Sequence, residues 1–124
     1  MHIGVPKETK NHEYRVGLSP SSVREIVSHG HQIVVEQQAG EGIGASDADY
    51  RSAGATVTED VAGLFNECDM IVKVKEPQAD EREMLREGQI LFTYLHLAPD
   101  PEQTKDLVKS GATCIAYETV TSPH

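Results

Sequence analysis

Three side chains in this sequence have the types and settings to handle a small organic acid: Arg15, Lys75 and His96. The arginine guanidinium is a planar fork of donors that matches a carboxylate through two parallel hydrogen bonds. As a loop residue, Arg15 has the competing reading of a solvated surface charge. Lys75 closes the run Asp69-Met70-Ile71-Val72-Lys73-Val74-Lys75, which reads as a buried central strand. An ammonium there is costly unless an anion meets it. That anion is either a bound ligand or a nearby carboxylate, Glu76 being adjacent in sequence. Lys73 shares the face of Lys75 by the two-residue strand period and reads as a lysine that snorkels to the surface. His96 follows Phe92-Thr93-Tyr94-Leu95. An imidazole at a strand end either moves protons near neutral pH or bonds structurally to backbone. Two cations for an anion, with one titratable ring for its protons, form a compact set for binding and processing a carboxylate.

The elements that must position these groups alternate between strand and helix patterns. Strands are expected at about residues 2–6, 32–36, 55–57, 69–75, 89–95 and 113–117. Helices are expected from Ser19-Pro20 to Gly30, from Ser46 through Tyr50, around Val61, Leu64 and Phe65, over about residues 80–87, and over about residues 101–109. Ser19 is the N-cap signal of the first helix and Pro20 its first-turn residue. Val23, Ile26 and Val27 make its apolar face. This β-α alternation predicts a single α/β domain: a doubly wound, mostly parallel, Rossmann- or flavodoxin-like sheet with helices on both faces. In such sheets ligands sit beyond the carboxyl ends of the strands, where the strand order reverses. Arg15 follows the first strand, Lys75 ends the fourth and His96 ends the fifth. If those three strands are neighbours, the three side chains emerge along one edge. The residues after the last strand carry no pattern, and the chain is expected to continue.

Composition narrows the partners. The chain has 124 residues with 20 Asp and Glu against 11 Lys and Arg, a net charge of −9. Such a field repels phosphate backbones and anionic lipid, which argues against nucleic acid and membrane partners. Neither a signal peptide nor a membrane-spanning run is expected. Cys68 and Cys114 show no CxxC or disulfide spacing and are read as reduced thiols of a cytoplasmic protein. The six histidines and two cysteines lack metal-ligand spacing, so no metal is expected. Gly40-Glu41-Gly42-Ile43-Gly44 imitates a nucleotide loop, but in the G-x-G-x-x-G fingerprint the third glycine falls one residue later. The reading is a glycine turn leading into the Ser46 helix. A receiver-type signalling domain would want acidic residues after the first strand, and Pro6-Lys7-Glu8 supplies too few.

Three segments carry a family likeness. Ile3-Gly4-Val5-Pro6-Lys7-Glu8 with Asn11-His12-Glu13-Tyr14-Arg15-Val16-Gly17-Leu18, then Val72-Lys73-Val74-Lys75-Glu76-Pro77, then Leu91-Phe92-Thr93-Tyr94-Leu95-His96-Leu97, closely resemble the N-terminal part of the bacterial alanine dehydrogenase family. Proton-translocating transhydrogenase α subunits and lysine-forming saccharopine dehydrogenases are more distant relatives. The resemblance implies reversible NAD-dependent deamination of L-alanine to pyruvate and ammonia by a homo-oligomer. It implies that Arg15 and Lys75 hold the substrate carboxylate, with Lys75 also polarising the keto oxygen, and that His96 transfers the proton. Residues 1–124 would then be the substrate-binding segment, with NAD bound by a domain this chain lacks. The isolated chain is expected to be inactive. A non-catalytic carboxylate-binding module and a transhydrogenase α domain remain the alternatives.

Overall fold

A computed structural model of the chain describes residues 1–10, 12–93 and 101–116. Six parallel strands run β1 (His2–Val5), β2 (Gln32–Glu36), β3 (Thr56–Thr58), β4 (Met70–Val72), β5 (Ile90–Thr93) and β6 (Thr113–Ala116). Five helices connect them: α1 (Pro20–Ser28), α2 (Asp47–Ser52), α3 (Val61–Glu67), α4 (Ala79–Met84) and α5 (Pro101–Ser110). The strand order is β3-β2-β1-β4-β5-β6. Order therefore reverses between β1 and β4, and the switch point lies beyond Val5 and Val72.

Strand alternation divides the core in two. Ile3, Val5, Ile33 and Val35 face α1 and α2, where Val23, Tyr50 and Ala53 are buried. Ile71 and Leu91 join Leu64 and Phe65 of α3 and Leu107 of α5 in the other layer. Helices thus cover both faces, which is why the central strands read as continuous apolar runs. The helix starts follow their capping residues: Ser19 Oγ accepts from the Ser22 amide at 3.3 Å, and Ser46 and Asp49 form a reciprocal capping box.

The fourth strand is shorter than its apolar run. Its ladder reaches Val72, and the Lys73 amide still donates to the Phe92 carbonyl at 3.0 Å. Beyond that, the amides of Val74 and Lys75 turn away to the carboxylate of Glu8, each at 3.1 Å. A side chain from the β1 loop has replaced the neighbouring strand as acceptor, so Lys75 stands three residues past the strand rather than at its end. The fourth helix also stops early, at Met84, where Leu85 goes extended and buries its side chain.

Candidate functional site at the switch point

The loop after β1 returns across the sheet and lies against β4. Gly17 permits this: a Cβ there would stand 2.5 Å from the Val72 carbonyl oxygen. The loop's far end is tied down by Tyr50 of α2, whose hydroxyl donates to the Leu18 carbonyl at 2.7 Å. Burial pushes that phenol up to about 12. The glycine turn at residues 40–44 packs on the other side of the loop, since a Cβ at Gly42 would lie 2.0 Å from the Tyr14 carbonyl oxygen. Gly17 and Gly42 thus serve close backbone approach, and residues 40–44 form a turn ahead of the Ser46-capped helix, as the sequence reading expected.

Within this loop Glu13 organises the cations. Its carboxylate receives Nε of Arg15 at 3.0 Å and Nη2 at 2.9 Å. The same Oε1 lies 4.0 Å from Nζ of Lys75. The Glu13 side chain is only 5% exposed, whereas Arg15 is 60% and Lys75 33% exposed. The hydrogen bonds from Arg15 are the main cause of holding the Glu13 carboxyl down at about 2. Both cations therefore reach solvent from a buried anionic anchor. The cleft beside Arg15 is lined by Lys7, Glu8, Glu13, Arg15, Gln38 and Gly42; Lys75 is not among its lining residues and is related to it by its 4.0 Å approach to Glu13.

Below this pair lies a second, buried charge cluster. Lys73 is 1% exposed, and its ammonium sits 3.1 Å from Glu8 and 3.2 Å from Glu81. It does not snorkel: its side chain is buried just past the end of β4, and two carboxylates from other elements compensate the charge. The adjacent acid Glu76 pairs with Lys10 from the loop after β1. Glu36, at the end of β2, accepts the Lys7 amide at 2.8 Å, while burial drives its carboxyl upward.

Of the three sequence-predicted residues, Arg15 and Lys75 are brought to one carboxylate, and His96 lies outside the described residues. Glu13, Glu8 and Gly17 went unnoticed in the sequence. The sign that could have exposed Glu8 is a lysine, Lys73, inside an apolar run, which demands buried acids from elsewhere. Among the described residues no group of three His, Cys, Asp or Glu could hold a metal, and no helix is long and apolar enough to cross a membrane. Cys68 and Cys114 are free thiols.

A dinucleotide does not fit the described residues at this switch point. Its pyrophosphate would need amide donors on a glycine-lined turn after β1. Pro6-Lys7-Glu8 stands there instead, and the Glu8 carboxylate already occupies the amides of Val74 and Lys75.

The strand order defines a Rossmann-type α/β domain whose switch point brings Arg15 and Lys75 to the Glu13 carboxylate. Residues 4–124 match the family described as alanine dehydrogenase/PNT, N-terminal domain, and the chain belongs to that family. It is 59% identical over 123 residues to an alanine dehydrogenase of Halomonas elongata, covering 99% of this chain and 33% of that protein. A Mycobacterium tuberculosis alanine dehydrogenase is 46% identical over 123 residues, again across 99% of this chain and 33% of the relative. Among solved structures, an L-alanine dehydrogenase superposes with a TM-score of 0.94 at 53% identity, over 99% of this chain and 34% of that one. A transhydrogenase from Sinorhizobium meliloti gives 0.88 at 31% identity, over 95% of this chain and 35% of that one. The chain thus spans about a third of the length of these relatives.

Proposed function

We propose that this chain is the substrate-binding segment of an NAD-dependent alanine dehydrogenase that interconverts L-alanine with pyruvate and ammonia. The observation that carries the reading is the meeting of Arg15 and Lys75 on one side of the sheet switch point, 2.9 and 4.0 Å from a shared oxygen of Glu13. In this reading the Arg15 guanidinium, oriented by its two bonds to Glu13, adds a charge-assisted contact to the substrate carboxylate. The Lys75 ammonium adds a second contact and polarises the keto oxygen of pyruvate. His96 transfers the proton at that oxygen, and binding both ends of so small a molecule fixes its orientation for reaction. NAD is held by residues outside these 124, a reading supported by Pro6-Lys7-Glu8 following β1 in place of a glycine-rich turn. The working protein is a cytoplasmic homo-oligomer.

The likeness to a transhydrogenase favours a second reading, an α-subunit domain, with the lower identity of 31% against 53%. The test is NADH formation from L-alanine by the full-length protein, with NADPH-linked hydride exchange as the competing assay. Alanine-dependent NADH is expected. Its absence, with exchange present, overturns the dehydrogenase reading. The isolated 124-residue chain is expected to bind pyruvate without turnover.

A further inference from the structure

Lys75 stands beyond the end of its strand, yet its backbone is held at both polar atoms by side chains. Its amide donates to Glu8 Oε1 at 3.1 Å, and its carbonyl accepts from the Thr93 hydroxyl at 2.8 Å. Glu8 comes from the loop after β1 and Thr93 from the end of β5, so the two strands that flank β4 each send one side chain. Glu8 also takes the Val74 amide at 3.1 Å, which makes its carboxylate a substitute for the ladder partner that β4 loses after Lys73. The clamp is dry: Thr93 is fully buried and Glu8 is 8% exposed. Lys73 neutralises Glu8 from below and is itself shared with Glu81 of α4.

We propose that Glu8 and Thr93 are positioning residues that fix the Lys75 backbone so that its ammonium is presented beside Arg15. The proposal rests on the assignment of Lys75 to substrate binding. A lysine stem carries many rotamers, and a loosened backbone would multiply them. Anchoring the amide and carbonyl leaves only the side-chain torsions to be ordered when an anion binds, which is preorganisation in its ordinary sense. Thr93 does not line the cleft and acts through the Lys75 carbonyl, whereas Glu8 also forms part of the cleft wall.

The test uses the full-length protein. Glu8→Gln leaves one acceptor oxygen for two amides and disturbs Lys73 as well, so its folding is at risk. Thr93→Val and Thr93→Ser form the second pair: valine keeps the shape and loses the hydroxyl donor, while serine keeps the donor and loses a methyl group. Positioning predicts a KM for pyruvate raised about tenfold in Thr93→Val, the factor expected for one buried hydrogen bond. It predicts Thr93→Ser within about twofold of wild type, by the same conversion. A packing role predicts the serine variant to be at least as impaired, because it alone opens a cavity. That order overturns the proposal, as does a Thr93→Val protein with wild-type KM. A second readout does not depend on turnover: the 13C resonance of reductively methylated Lys75, assigned by its loss in Lys75→Arg. The resonance is expected to shift in Thr93→Val and not in Thr93→Ser. If wild type shows no alanine-dependent activity, the functional reading fails while this resonance still decides the clamp, and an unmoved line in Thr93→Val overturns it.

Discussion

Arg15 and Lys75 meet on one oxygen: Glu13 Oε1 is 2.9 Å from the guanidinium of the first and 4.0 Å from the ammonium of the second. Neither cation is near the other in sequence, and the carboxylate between them offsets the repulsion that would otherwise separate them. Glu13 is short of solvent while its partners are not, so the charge pattern is an acid beneath and two bases above.

The first prediction concerns acid stability. Glu13 titrates near 2 in the fold against an ordinary value of 4.5. A carboxyl with a depressed folded pKa contributes stability that is fully present above its unfolded value and lost as pH falls toward its folded value. The loss therefore spans about pH 4.5 down to 2. Arg15 is largely exposed, so solvent screening keeps the contribution modest. Melting temperature followed over that range should fall more steeply for wild type than for Glu13→Gln. Parallel curves would mean the Arg15 contact does not form in solution.

The buried triad gives a second prediction. Burial raises the Glu81 carboxyl, against the lowering effect of the Lys73 ammonium. A raised carboxyl favours the folded state below its ordinary value of 4.5, and that contribution is lost as pH rises through the folded pKa. Glu81→Gln at pH 7 should therefore change stability by no more than about 1 kcal/mol, because it keeps the bond to the Gln78 amide and leaves Lys73 paired with Glu8. Lys73→Met leaves Glu8 and Glu81 buried without their cation and should cost about 3–5 kcal/mol. Urea denaturation at pH 7 compares them. Equal losses in both variants would contradict the asymmetry.

A third prediction separates charge from shape at Arg15. Arg15→Lys keeps the positive charge and forfeits the fork that grips Glu13 through Nε and Nη2. Pyruvate titrated into the full-length variant should bind about tenfold or more weakly, because a lysine loses the clasp on Glu13 that orients the cation toward the substrate carboxylate. Unchanged affinity would show that the carboxylate is read by charge alone.

The α/β class and the alternation of elements were legible because periodicity and capping residues are local signals. Ser19, Pro20 and Ser46 mark helix starts that the structure keeps. The end of β4 was not legible, because it is set by Glu8, a residue 66 positions from Val74 in sequence. For the same reason the two lysines exchanged characters: Lys73, read as a surface residue, is buried on two carboxylates, and Lys75, read as a strand end, stands in a loop. Pattern gives the face on which a side chain lies. It does not give the acid that a different strand delivers to it.

The final prediction tests how the Arg15 loop is seated. At Gly17 a Cβ would meet the Val72 carbonyl oxygen at 2.5 Å and the Lys73 amide at 3.2 Å, both backbone atoms that cannot rotate aside. Gly17→Ala should therefore lift the loop from β4, costing about 1–3 kcal/mol as overpacking does, and should carry Glu13 and Arg15 away from Lys75. Gly30→Ala serves as the control: its φ of 91° makes alanine strained, but a Cβ there meets nothing within 4 Å, and the residue lies at the opposite end of α1 from the loop. Both variants should lose stability in urea, and only Gly17→Ala should also lose pyruvate affinity in the full-length protein. If the two lose stability alike and bind alike, the distance between Arg15 and Lys75 does not depend on this contact.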